Sequence, residues 1–355
     1  QPPAQSTSHV LDGVPYTHFG RSNALRRALV GDAGFGLHRV AEALADASDA
    51  FAGLRRSMRD ETFDLVEVIG DSTAAGLVAL CDGTPALVRL NSIWSPDGST
   101  AERLAARRMA RLGLQAARAV SVPSLWLRDH LRRTKVYDNA LVVPDGVVAP
   151  KAASQTASGH QLFAWFDDDQ KSLGDFAHVL NHALSHDPAL RIVVAGPNHR
   201  HPLLAQLRAQ LVGAENRLEV PGMGTPEAIG PGPDSIGLYW FARAPGCPPV
   251  LLQALAAGQP LAVRTTGCIP EIVRHDLDAL LFDSADGACR KLDRLLKTAS
   301  LRERLGRAAH QRALARFQPE ACTRRRLQVY ELAAGHRSKT ATKAAASPAP
   351  TVELG

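Results

Sequence analysis

The chain has 355 residues, 45% of them hydrophobic and 21% charged, and its 41 Lys and Arg against 35 Asp and Glu leave a formal charge of +6. That composition suits a soluble globular protein long enough for two domains, and with aromatics at only 5% its core must be aliphatic and layered, which favours helices on sheets over an aromatic-rich sandwich. The basic excess is scattered over pairs such as Arg26-Arg27, Arg55-Arg56, Arg107-Arg108 and Arg132-Arg133, so nothing points to nucleic acid, while peripheral contact with an anionic membrane surface stays open.

The opening QPPAQSTSHV has neither a basic nor an apolar signal region, and no run approaches 18 apolar residues. The expectation is a chain without signal peptide or membrane span. The absence of an initial Met leaves an earlier true start open. The five cysteines form no CxxC pair, which reads as buried free thiols in a reducing cytosol and hence a cytoplasmic protein. A hairpin-like segment, SHVLDGVPYTHF, comes first. GDAGFG at 31–36 is no dinucleotide fingerprint, since its spacing is G-x-x-G-x-G.

From Phe63 short aliphatic runs alternate with segments of helical period, the pattern of βαβ units and a parallel sheet. Strands are expected at Leu65–Ile69, Ala86–Leu90, Ala119–Val122 and Leu141–Val143, with helices at Ala101–Ala117 and Leu125–Arg133. A Pro/Gly-punctuated, then Ala/Ser/Thr-rich stretch breaks the pattern and reads as a linker over 149–160, between a domain at 1–148 and a second at 161–317. Strands are expected in the second domain at Leu162–Trp165, Arg191–Ala195, Leu218–Val220, Ile236–Phe241 and Pro260–Arg264. Asp175–Leu184 carries Phe176, Val179, Leu180, Ala183 and Leu184 on one helical face. Helical stretches at Arg302–Ala315 and Pro319–Ala334 precede a tail, 335–355, too poor in large apolar residues to fold.

Residues 244–282, APGCPPVLLQALAAGQPLAVRTTGCIPEIVRHDLDALLF, carry the chemistry. A Gly/Pro-rich turn opens a helix at Pro249–Ala257 that Gly258 closes; a buried strand follows, then a Gly-Cys-Ile-Pro-Glu turn into another helix. Unpaired N–H groups and partial positive charge at a helix start, with Gly246 admitting a ligand to the backbone, make a diphosphate-binding geometry. Glu271 is expected to fix the start of the helix it opens.

This order and spacing resemble the donor-binding half of the retaining family-4 glycosyltransferases of the GT-B fold, through Gly246, Pro248, Val250, Leu251, Leu252, Ala254, Ala256 and Gly258, then Gly267, Pro270, Glu271, Ile272 and Val273. ARAVSVPSLWLRDHL with LVVPDGV resembles the end of the family's first domain, LRIVVAGP its second C-domain strand, and FQPEACTRRRLQVYELA, within 318–334, its last helix, which crosses back to the first domain. The resemblance implies two doubly wound, Rossmann-like α/β domains facing across a cleft. It further implies a hexosyltransferase-type enzyme that takes a sugar from a nucleotide-diphosphate donor, with retention and without metal or cofactor. The acceptor, whether saccharide, lipid-linked or small molecule, is not implied.

Against that pattern the family's two glutamates fall on Pro245 and Gln253, its phosphate-binding Arg and Lys on Phe166 and Lys171, and its N-domain histidine on Asn91, while of an Asp-ended cluster only Asp71 remains. The family's first strand, glycine-rich loop and first helix have no counterpart before the hairpin, so the chain is expected to be trimmed or its first domain abbreviated. Departing diphosphate needs cations, which makes Lys171 and Arg243 donor-binding candidates with Gly246, Cys247, Pro248 and Gln253; each cation also reads as an ordinary surface residue. Asp71 and Asn91 are the weak catalytic candidates. Asp167-Asp168-Asp169 reads as solvated loop acids rather than a metal site, and His199, Arg200 and His201 as a solvent-facing cluster. The departures keep a second reading open, a catalytically reduced homologue that acts as the partner of an active transferase.

Overall fold

A computed structural model describes residues 7–11 and 14–18 as backbone, 52, 63–70, 85–91, 100–149, 160–167, 170–196, 202–219 except 213 and 215, and 235–335 except 245. Asp71, Pro245, Asp168, Asp169, His199, Arg200, His201, the GDAGFG stretch, nearly all of the expected linker and the tail beyond Gly335 lie outside them. The chain divides into two compact units: one takes in 1–123, 127–143 and 325–355, the other 124–126 and 144–324.

In the first unit, β1 (Thr7–Leu11) and β2 (Val14–His18) pair antiparallel. β3 (Val66–Ile69), β4 (Ala86–Arg89), β5 (Ala119–Val122) and β6 (Leu141–Val142) then form a parallel sheet in that order. Helix α1 (Thr100–Ala116) joins β4 to β5, and α2 (Leu125–Arg133), which belongs to this unit from Leu127 on, joins β5 to β6. β5 is buried throughout, as a strand covered on both faces must be. The last helix, α9 (Pro319–Ala334), places Val329 and Ala333 against Leu87, Ala119 and Val143. Its Arg326 and Tyr330 both reach Glu67, at 3.3 and 2.8 Å, and burial followed by the Glu67 contact pushes the Tyr330 hydroxyl up.

The second unit is built on a six-stranded parallel sheet: β7 (Gln161–Phe166), β8 (Arg191–Ala195), β9 (Leu218–Glu219), β10 (Ile236–Trp240), β11 (Leu261–Arg264) and β12 (Leu280–Phe282). Their order is β12-β11-β10-β7-β8-β9, the doubly wound arrangement whose direction of winding reverses between β7 and β10. The period of two divides the sheet's side chains between two cores. Leu162, Ala164, Phe166, Leu238 and Trp240 pack beneath α3 (Leu173–His186), α4 (Pro202–Gln210) and α7 (Ala285–Lys297), whereas Phe163, Tyr239, Leu261 and Val263 pack beneath α5 (Pro249–Ala257), α6 (Ile269–Ile272) and α8 (Ala299–Arg316). Both units are Rossmann-like, as the alternation of runs predicts. β12, α4 and α7 are the elements the sequence reading does not name: β12 is three residues long and α4 nine, whereas α7 does carry an apolar stripe of Ala288, Cys289, Leu292 and Leu295.

Candidate functional site

In a doubly wound sheet the ligand crevice lies outside the carboxyl ends of the strands at the switch point, here between β7 and β10. Asp167, just beyond β7, donates its backbone N–H to the Trp240 carbonyl at 3.2 Å, so the two strand ends leave the sheet together. Beyond β7 the chain makes one 3₁₀ turn, Gln170–Ser172, that carries an exposed Lys171 into the start of α3. Beyond β10 it passes Phe241 and an exposed Arg243, then Gly246, Cys247 and Pro248, and enters α5 with Pro249 at the first helical position. Proline there gives up an N–H that had no intrahelical partner, and the N-cap Pro248 offers no side-chain cap. Lys171, Arg243 and the start of α5 are therefore gathered on the loops at one end of two adjacent strands. Gln253 is exposed on α5, one turn further on.

The β10 loop is held by the loop after β11. Gly267 has φ of +53°, and a Cβ on it would stand 2.0 Å from the Ala244 carbonyl oxygen, which itself accepts the Cys268 N–H at 2.8 Å. Cys268 Sγ donates to the Gly246 carbonyl at 2.8 Å. A hydrogen bond with Cys247, burial and the nearby Cys247 and Glu271 push the Cys268 thiol far up, so it stays protonated. Folded protein should therefore alkylate at Cys268 at least about a hundredfold more slowly than an ordinary exposed cysteine; peptide mass spectrometry after timed iodoacetamide exposure reads it, and equal labelling would contradict the packing. The second glycine of the motif, Gly258, closes α5 at φ of +72°, with Gln259 N–H returning to the Ala254 carbonyl at 3.0 Å.

Glu271 departs from expectation. Its carboxylate accepts the backbone N–H groups of Leu125 and Trp126, at 2.8 and 2.5 Å, the first two residues of α2, which belong to the same compact unit as Glu271. Those orphan donors need an acceptor, and a carboxylate also suits the positive end of the helix. No local sequence signal announces this pairing, because 145 and 146 positions separate the partners. Behind Glu271, Arg312 donates to the Glu271 and Ile272 carbonyls and lies 3.7 Å from the fully buried Asp278. Burial outweighs that carboxylate and brings the Arg312 guanidinium down to about 10.

Other candidates fall elsewhere. Phe166 is buried and stacks on Phe176, ring centroids 4.6 Å apart, so core packing occupies the position where the resemblance implies an arginine. Asn91 is exposed just past β4, in the first unit. Asp167 accepts the Trp165 indole N–H at 3.1 Å.

Residues 7–146 match the family of Glycosyl transferase 4-like domains, and residues 238–328 match the family described as Glycosyl transferase-like. Among solved structures the chain is similar to sucrose-phosphate synthase from Thermosynechococcus elongatus, with TM-score 0.65 and 16% identity over 81% of this chain and 78% of that one. It is also similar to HepE of Anabaena in complex with UDP, with TM-score 0.61 and 15% identity over 79% of this chain and 81% of that one. S. aureus TarM, in a complex that includes UDP, gives TM-score 0.64 and 10% identity over 80% of this chain, and the chain spans 58% of the length of TarM. At these identities the likeness is one of fold. No curated protein matches the chain in sequence. The two family matches and the shared fold together place the chain among the GT-B, group 1 glycosyltransferases.

Proposed function

We propose that the protein transfers a hexosyl unit from a nucleotide-diphosphate donor, held on its second unit, to an acceptor, with retention of anomeric configuration and without a metal at the reacting centre. The observation that carries this reading is the strand order: Lys171 follows β7, and Arg243 and the start of α5 follow the adjacent β10, at the switch point. A departing diphosphate gathers negative charge, and two cations with the helix N-terminus stabilise that charge as it develops. Gly246, Cys247 and Pro248 form the wall of the turn against which the diphosphate lies, and Gln253 is the hydrogen-bonding partner for ribose hydroxyls. HepE is known in complex with UDP and with UDP-glucose, and a UDP-sugar is the first donor to try. Asp71 and Asn91 are the candidates on the acceptor side. A cytoplasmic location accords with a described structure in which no helix is long and apolar enough to cross a membrane.

Calorimetry of the full chain with UDP-, GDP-, ADP- and TDP-sugars tests the reading. Binding of at least one donor is expected, weakened about tenfold or more by Lys171→Ala and by Arg243→Ala, the usual worth of a charge-assisted hydrogen bond. No heat with any donor overturns it. The anomer of the sugar released by slow donor hydrolysis, followed by NMR, tests retention.

The burial of Phe166 where the resemblance implies a cation favours the second reading, a reduced homologue that binds but does not transfer. Donor binding with no turnover, in hydrolysis or against a panel of acceptors, would select it.

A further inference from the structure

Helix α3 carries His178, His182 and His186 at successive i, i+4 positions, one row along the helix. Across from that row α7 presents Asp286 and Asp293. His182 Nε2 lies 3.0 Å from Asp293 Oδ1, and the His182 and His186 rings are 4.1 Å apart between centroids. One ligand atom each from His182, His186 and Asp293 falls within 4.8 Å of the others. His186 Nδ1 is 2.9 Å from the His182 carbonyl, which can only accept, so the proton sits on Nδ1 and the lone pair on Nε2. Ser185 Oγ, 3.1 Å from the same nitrogen, completes its surroundings. The second carboxylate oxygen of Asp293 is 3.9 Å from Lys297 Nζ, which leaves Oδ1 as the oxygen aimed at the histidines.

We infer that His182, His186 and Asp293 form a surface binding site for a borderline divalent metal such as Zn²⁺, which bridges α3 to α7. Ligand atoms about 2.0–2.1 Å from tetrahedral zinc stand about 3.3 Å from one another. The His182 to Asp293 distance is already close to that value, and the His186 side chain, on an exposed residue, rotates to close the rest. Two imidazoles and one carboxylate leave a fourth position for water. On binding, zinc takes the place of the proton between His182 Nε2 and Asp293, and the neutral imidazole carries its proton on Nδ1 instead, so no net proton is released. Imidazole ligands select against Mg²⁺ and Ca²⁺, which take oxygen. The site lies in the last turns of α3, about 20 Å along the helix from the Lys171 end at 1.5 Å per residue, so it is separate from the donor turn and acts on stability.

Zinc titration of the full, chelator-stripped chain tests this by calorimetry and by thermal unfolding. One tight equivalent is expected, with a melting temperature that rises with zinc and not with Mg²⁺. His186→Ala, at an exposed position that should fold normally, is expected to lower zinc affinity at least tenfold and to abolish the zinc-dependent rise; Asp293→Asn should weaken binding while His178→Ala leaves it nearly intact. Absence of a tight equivalent, or an equivalent that persists in His186→Ala, overturns the assignment and reduces the cluster to a hydrogen-bonded His–Asp pair.

Discussion

Gly267→Ala is expected to destabilise the second unit by about 3 kcal/mol and to remove donor binding with it. A left-handed backbone costs a non-glycine residue about 1–2 kcal/mol, and forcing an atom into a packed region adds about 1–3 kcal/mol. The new Cβ would stand 2.0 Å from the Ala244 carbonyl oxygen. That oxygen is backbone, held by the Cys268 N–H, and cannot swing aside as a side chain does. Relief must come from parting the loops after β10 and β11, which breaks the bonds that hold Ala244 and Gly246. The damage therefore falls on the turn that leads into α5. Urea unfolding followed by Trp165 and Trp240 fluorescence, together with nucleotide titration, reads both effects. A variant with an unchanged midpoint and wild-type nucleotide affinity would show that the turn tolerates a side chain at 267, against the close approach to the Ala244 carbonyl.

Asp278→Ala is expected to cost about 3–5 kcal/mol, the range for removing one partner of a buried ion pair. Asp278 is wholly buried; it accepts the Arg274 backbone N–H at 2.6 Å and the Arg274 Nε at 2.9 Å, and it faces Arg312 at 3.7 Å. Its loss leaves Arg312 charged in low dielectric with only the Glu271 and Ile272 carbonyls as acceptors among these groups. Asp278→Asn should fall between wild type and alanine, because it keeps an acceptor for the Arg274 N–H but not the charge. The pH dependence has a definite sign. Burial brings Arg312 from its ordinary value down to about 10 in the folded chain, so between the two the unfolded chain binds more protons, and the Arg312 contribution to stability rises with pH across that window. Below pH 10 the desolvation cost is present in full, and in Asp278→Ala it should be larger. Equal unfolding midpoints for wild type and Asp278→Ala at neutral pH would refute the coupling.

The two variants act on the ends of one short segment. Gly267 and Cys268 tie it to the turn that leads into α5, while Glu271 ties it to Leu125 and Trp126, and Arg312 and Asp278 support it from behind. A change in Glu271 should therefore be felt at the turn through α6, although Glu271 itself is spent on Leu125 and Trp126.

Composition and periodicity were enough to determine the fold class, two Rossmann-like α/β units, because buried parallel strands require uninterrupted aliphatic runs and crossover helices require a 3.6-residue stripe. The turn into α5, with Pro at its start and Gly at its close, was legible for the same reason: both residues report backbone conformation directly. Reading α3 for its apolar stripe, in contrast, passed over the histidine row on its other side, since i, i+4 spacing says nothing of what stands opposite. That Lys171 and Arg243 end on neighbouring strands follows from the strand order. The pairing of Glu271 with Leu125 and Trp126, of Cys268 with Gly246 and of His182 with Asp293 depends on which segments fold together within the second unit. These contacts join residues 22 to 146 positions apart, and a local pattern fixes only neighbours within a few residues, so only the tertiary structure decided them.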